Sequence, residues 1–190
     1  MLSTLIFAEI DGDSLTDEEI FAGFVLLMAA GNDSTKATYA SAMRALMDFP
    51  DQRQKLIDDP SLVPSAVEEA LRMFPAFAHF RRTATEDTEL AGQPIAAGEK
   101  LVMMYTSANR DEAVFADPDR FDITRSPNPH LSFGIAEHFC LGVHLARLEG
   151  RVFFDELLTR FPVIEQTGDA LRMRSNLNNA LKVLPVRLTT

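Results

Sequence analysis

Hydrophobic and polar positions along the chain follow the helical period over most of its length and shorten to alternation in two stretches. From Ile20 to Gly31 apolar residues stand on nearly every face, and this run predicts the first half of one long helix reaching about Asp48 before Phe49-Pro50. A helix that is apolar all round is normally enclosed by neighbours, so this half is expected to be deeply buried. Thr16 and Glu19, three apart with Asp17 and Glu18 between them, predict a capping box at its start. Upstream, residues Met1 to Ile10 read as the end of a helix that Asp11-Gly12-Asp13 breaks. Pro50 and Pro60 bracket a short polar helix, Asp51 to Asp58, expected to be a surface connector, and Pro64-Ser65 opens the helix SAVEEALRMF, which Pro75 ends.

Beyond Pro75 the pattern alternates, with turn signals at Gly92-Gln93-Pro94 and at Gly98, and predicts short strands in a small sheet. Ser107 to Asp111 reads as one helical turn, and Phe115 to His130 as a proline-punctuated meander. Leu141, Leu145, Leu148 and Val152 then mark an amphipathic helix from Leu141 to Arg160, and strands with a hairpin near Ser175 to Asn179 complete the chain. The expected class is mainly α with small β-sheets, an α+β arrangement.

Composition narrows the functional classes. With 190 residues, 46% of them hydrophobic and 14 of them Phe, the chain has material for one sizeable core or a large part of a bigger one. A net charge of −10 argues against nucleic acid or an anionic membrane as partner, because both attract basic patches. The longest apolar run is too short to cross a bilayer, and the first residues lack the basic start of a secretion signal. A single cysteine excludes an internal disulfide and fits a reducing cytoplasm, where we expect the protein to reside.

Three segments carry candidate chemistry. Leu131 to Gly142, LSFGIAEHFCLG, holds the only cysteine just ahead of a helix, where free N–H groups and the helix dipole favour an anionic sulfur able to bind iron. A lone cysteine is more often a small buried hydrophobe, so the neighbouring residues decide. Ala29 to Thr35, AAGNDST, places a glycine and polar residues inside the long apolar helix, and there Ser34 can bond back to the Ala30 carbonyl. An ordinary polar face explains the same residues equally well. Glu69 and Arg72 share a helix face, which on spacing alone reads first as a solvated salt bridge.

Together these segments resemble the cytochrome P450 family, whose haem-ligand signature runs Phe-Gly-x-Gly-x-His-x-Cys-x-Gly. Here it reads Phe133, Gly134, Ile135, Ala136, Glu137, His138, Phe139, Cys140, Leu141, Gly142, with Ala136 in place of the second glycine. The loop tolerates that change if residue 136 needs no positive φ. By resemblance Cys140 is the axial metal ligand of haem b, Phe133 and Gly134 shape the loop beside the sulfur, and His138 and Arg82 reach the two propionates. Ala30 and Gly31 would lie over the haem, while Asp33 and Ser34 relay protons. Ser34 stands where threonine is usual, and Thr35 is a substitute hydroxyl.

The resemblance also implies that Phe77, Ala78 and Leu177 line the substrate pocket, and that Glu69 and Arg72 pair structurally with Arg120 of Pro118-Asp119-Arg120-Phe121. The implied activity is a haem-dependent monooxygenase that inserts one atom of O2 into an apolar sterol, terpenoid or fatty acid. Its electrons would come from NAD(P)H through a ferredoxin or similar donor. His144, Arg147 and Arg151 are candidates for docking that donor, although a solvated polar face accounts for them as readily. Residues 1–190 resemble only the C-terminal half of the fold, so the alternative is a truncated, non-catalytic haem-binding or interaction fragment.

Overall fold

The computed structural model describes residues 2–190. It is built around helix α2, Asp17–Asp48, whose start is fixed by the expected capping box: Thr16 Oγ1 accepts from the Glu19 N–H at 3.3 Å, and Glu19 Oε2 accepts from the Thr16 N–H at 2.9 Å. Before it come a short helix α1, Leu2–Ile6, and a hairpin of β1, Glu9–Ile10, with β2, Asp13–Ser14. The expected helix end is present but stops at Ile6, and Glu9–Ile10 is strand rather than helix. Asp11 and Gly12 both adopt positive φ, 55° and 90°, which is the geometry of a two-residue hairpin turn. The part of that reading concerning Met1 lies outside the described residues.

Helix α3, Pro50–Asp58, follows α2 directly, with proline at its first position where no N–H is needed. It is more than a surface connector. Leu56 and Gln52 are buried, and the Gln52 side chain accepts from the Ile123 N–H at 3.2 Å. Helix α4, Val63–Met73, and helix α6, Val143–Arg160, pack against the C-terminal half of α2, and Gly150 allows α6 to lie close to α4. A Cβ at Gly150 would meet Val67 Cγ1 at 3.0 Å. Tyr39 of α2 stacks on Phe153 of α6 with ring centroids 5.0 Å apart. Ala45, Leu46, Leu56, Val67, Ala70, Phe121, Ile123, Phe154 and Ile164 are among the residues of this single core.

The strands form antiparallel pairs, each with one partner. These are β3, His79–Thr83, with β6, Lys100–Met104; β4, Thr88–Leu90, with β5, Gln93–Ile95; β7, Val163–Gln166, with β10, Val186–Thr189; and β8, Leu171–Arg172, with β9, Leu181–Val183. A one-turn helix α5 covers Tyr105–Ala108, two residues earlier than the predicted turn. Residues 109–135 contain no helix or strand, as the proline-punctuated pattern predicts. Among the described residues no helix is long and apolar enough to cross a membrane.

The expectation of a buried first half of α2 is overturned. Phe21, Val25, Leu26 and Met28 are exposed, Phe21 at 69% and Leu26 at 67%. The stripe that marked this helix in the sequence, Leu145, Leu148 and Val152 on α6 and Leu141 just ahead of it, also faces outward, with Leu141 85% exposed. Hydrophobicity correctly identified surfaces that favour burial, but this chain does not itself supply what would cover them.

Candidate haem-ligand loop and cleft

The cysteine loop is a compact set of backbone hydrogen bonds. The Gly134 N–H donates to the Leu131 carbonyl at 2.8 Å, the Phe139 N–H to the Ala136 carbonyl at 3.0 Å, and the Cys140 N–H to the Phe133 carbonyl at 2.8 Å. Gly134 has φ +72°, and a Cβ there would lie 3.2 Å from the His138 carbonyl oxygen, so glycine is required twice over. Cys140 is half-buried, three residues ahead of Val143, the first residue of α6. Around it Ile135, Phe139, Leu141 and Leu145 present exposed apolar surface, and His138 is exposed on a 3-10 turn, Ala136–His138.

Ala136 does adopt a positive φ, 54°. The condition under which the loop would tolerate alanine freely is therefore not met, and residue 136 carries the strain of a left-handed Cβ, roughly 1–2 kcal/mol. Ala136→Gly is expected to stabilise the chain by about 0.5–1 kcal/mol, because relief of that strain exceeds the added flexibility of the unfolded chain. Urea melts of the two forms measure this, and a destabilised glycine variant would refute it.

The loop is anchored from below by a buried polar network. Glu69 and Arg72 are both fully inaccessible, so the solvated-bridge reading is excluded for this structure. Arg72 Nε donates to Glu69 Oε2 at 2.8 Å and Nη2 to Oε1 at 2.9 Å. The remaining Arg72 donors go to the carbonyls of Asn109 and Pro118, each at 2.8 Å, and of Arg120 at 3.2 Å. The second guanidinium on Glu69 belongs to Arg125, whose Nε lies 3.1 Å from Oε2. Here the expectation for Arg120 is corrected, since its side chain is exposed and only its carbonyl joins the cluster. Phe121 next to it turns inward against Phe49 and Phe74, which leaves Arg120 pointing out.

Several members of this network were not identified from the sequence. Asn128 Nδ2 donates to Glu69 at 3.1 Å, as does the Asp122 N–H at 2.9 Å. Fully buried Asn109 bridges the Arg72 carbonyl, Ser132 Oγ and the Leu131 N–H, and Ser132 Oγ donates to the Leu71 carbonyl at 2.6 Å. The entry of the cysteine loop is thereby tied to α4. Polar residues recurring through a meander of otherwise buried Phe and Ile were the available signal.

Arg147 is not a freely solvated cation. It forms a fork on Glu68, Nε to Oε1 at 2.7 Å and Nη2 to Oε2 at 2.8 Å, with its guanidinium 5.1 Å above the Phe133 ring. Partial burial would raise the Glu68 pKa, but hydrogen bonds from His130 and Arg147 outweigh it and hold the carboxyl at about 2. His144 and Arg151 are exposed on α6.

A second group assembles at the middle of α2. Ser34 Oγ donates to the Ala30 carbonyl at 2.6 Å, as expected, and α2 runs unbroken through Gly31. Asp33 and Ser34 border an open cleft whose apolar side includes Ala76, Phe77, Met173, Ala180 and Leu181. Thr35, half-buried, follows them on α2. The 175–179 hairpin docks where the strands begin: the Ala78 N–H donates to the Leu177 carbonyl at 2.8 Å, and Phe77 pairs with Asn178. Phe77, Ala78 and Leu177 are thus brought together, and of the three Phe77 lines the cleft with Asp33 and Ser34. Phe80 packs between Phe77 and Tyr105, tilted to the first and edge-on to the second, with ring centroids 5.2 and 5.9 Å apart. Arg82 is exposed on β3, its guanidinium turned to the Arg81 carbonyl at 3.1 Å.

The donor set fits a haem better than a bare ion. Among the described residues no group of three or more His, Cys, Asp or Glu side chains is placed to hold a metal, so Cys140 is suited to a metal that brings its other ligands with it. The exposed apolar residues beside the sulfur, with the exposed hydrogen-bonding side chains of His138 and Arg82, suit a flat apolar ring with anionic substituents.

Comparison with known proteins agrees. Residues 1–188 match the family described as Cytochrome P450. A methyl-branched lipid omega-hydroxylase of Mycobacterium tuberculosis is 45% identical over 188 residues, which cover 98% of this chain and 44% of that protein. Cytochrome P450-terp of a Pseudomonas species is 41% identical over 189 residues, or 100% of this chain and 44% of that one. A Mycobacterium marinum cytochrome P450 solved in complex with pseudoionone superposes with a TM-score of 0.93 at 47% identity, covering 97% of this chain and 45% of that one. The chain thus spans a little under half the length of these relatives. Family match, sequence relatives and structural superposition together place this chain in the cytochrome P450 family.

Proposed function

We propose that residues 1–190 form the haem-ligating, C-terminal portion of a single cytochrome P450 domain, acting in a cytoplasmic monooxygenase. The observation that carries this reading is the Phe133-to-Cys140 loop, in which a left-handed Gly134 and the Cys140 N–H bonded to the Phe133 carbonyl hold one sulfur ahead of α6. When bound, haem b supplies the reductive activation of O2 and insertion of one oxygen atom into substrate. Cys140 would hold its iron, His138 and Arg82 its propionates, and Phe133 and Gly134 keep the loop in shape. Ala30 and Gly31 would lie over its far side.

Proton delivery falls to the middle of α2. Asp33 is exposed and exchanges protons with solvent at the rim of the cleft, while Ser34 Oγ can leave the Ala30 carbonyl and pass a proton inward. Thr35 offers a second hydroxyl one residue on. The apolar wall at Phe77, Ala78 and Leu177 orients a substrate chosen for apolar surface, such as a sterol, terpenoid or fatty acid. The named lipid hydroxylase relative and the pseudoionone complex support that class. Electrons would arrive from NAD(P)H through a ferredoxin or similar donor, with His144 and Arg151 available on α6 for docking.

The second reading, a non-catalytic haem-binding or interaction fragment, is favoured by the outward apolar faces of α2 and α6. Mixing the chain with the separately expressed N-terminal half of a relative, haemin and a ferredoxin system separates the two. Product carrying oxygen from isotope-labelled O2 is the expected result. A complemented pair that holds haem with a thiolate-type spectrum yet incorporates no label into lipid substrates would establish the fragment reading instead.

A further inference from the structure

Glu68 and Glu69 are neighbours on α4, and successive helical positions point about 100° apart, so the two carboxylates serve different partners. Glu69 organises the meander, whereas Glu68 faces α6 and the cysteine loop. Its Oε2 accepts from both Arg147 Nη2 and His130 Nε2, at 2.8 and 3.1 Å, and its Oε1 from Arg147 Nε at 2.7 Å. His130 is almost inaccessible and lies three residues ahead of Phe133; its Nδ1 accepts from the Ser132 N–H at 3.3 Å, which leaves Nε2 to carry the proton toward Glu68. Arg147 lies on the other side of the loop, seven residues beyond Cys140, and the face of its guanidinium covers the Phe133 ring. One carboxylate therefore fastens the chain entering the loop to the chain leaving it.

We propose that Glu68 is a positioning residue for the Cys140 sulfur, acting through Arg147 and Phe133. The path is short: Glu68 fixes the plane of Arg147, Arg147 fixes the Phe133 ring, and the Phe133 carbonyl holds the Cys140 N–H at 2.8 Å. A fork geometry is essential to this path, since only a planar guanidinium can grip a carboxylate edge-on while covering a ring with its face. The inference rests on Cys140 as the ligand for its relevance to chemistry. Its test needs no haem, so it can fail while that assignment stands.

The measurement is amide hydrogen exchange of the full chain, read by mass spectrometry for residues 131–142 against the interiors of α4 and α6. Glu68→Gln keeps the shape but turns an NH2 toward the guanidinium, and Arg147→Lys keeps the charge but loses the fork and the plane. Each is expected to accelerate exchange in the loop roughly tenfold while the helix interiors stay unchanged, the signature of a local opening. Loop exchange altered by less than about twofold, or equal acceleration in loop and helices, would overturn the proposal. Should Glu68→Gln fail to fold, Arg147→Lys decides by the same criterion.

Discussion

Glu69→Ala is expected to remove most of the chain's stability, by about 3–5 kcal/mol against a typical total of about 5–15. The loss does not measure the strength of the pair. Removing the carboxylate leaves Arg72 and Arg125 as neighbouring cations, Arg72 with no exposure to water, and strands the Asp122 N–H and the Asn128 amide. Uncompensated charge in a dry interior is the costly state, whereas a well-packed apolar replacement of the whole cluster would cost far less. Urea melts provide the test, with Arg44→Ala as the control. The Arg44 pair with Asp48 is exposed on both sides and should contribute under about 1 kcal/mol. A loss below about 1 kcal/mol for Glu69→Ala as well would show that the cluster relaxes into water.

Cys140→Ala is expected to abolish the thiolate-type absorption of the reduced, CO-bound protein completely, measured on the chain complemented with the N-terminal half of a relative and loaded with haemin. The far-UV dichroism should change little. Cys140 is only half-buried, and its contribution to the loop fold is made by its backbone N–H, which alanine retains. A shift to a nitrogen-ligated spectrum would still agree with the assignment, because exposed His138 and His144 flank the loop. An unchanged thiolate band in the alanine variant would remove Cys140 from the role.

What could be read in advance was governed by the range of the forces involved. The Thr16–Glu19 capping box, the long α2 and the bond from Ser34 to the Ala30 carbonyl are local, and the residues specify them within one or two turns. The cysteine loop was legible because its backbone needs particular residues at particular places, Gly134 above all. The assignment of Arg120 to the ion cluster failed for a non-local reason. Arg120 and Arg125 are both arginines of the same meander, and only the inward turn of Phe121 and Ile123 decides which guanidinium reaches Glu69. Glu68 was passed over because its partners His130 and Arg147 lie 62 and 79 positions away. The exposure of Phe21 and Leu26 could not be read at all, since apolar character reports a tendency to be covered and says nothing of whether the cover lies in the same chain.

The stretch between Asn109 and Leu131 has a practical consequence for anyone wishing to cut or join this protein. By its prolines and its lack of helix or strand it looks like a linker, the sort of place chosen for a protease site, an inserted tag or a new terminus. Its carbonyls at Asn109, Pro118 and Arg120 are nevertheless held by Arg72 from inside the core, and Phe115, Phe121 and Ile123 are buried beneath it. The guanidinium does for this segment what a neighbouring strand does elsewhere, giving its backbone fixed partners. Insertions are better directed to the exposed turn at Ala91-Gly92 between β4 and β5, where the backbone answers to nothing beyond its own hairpin.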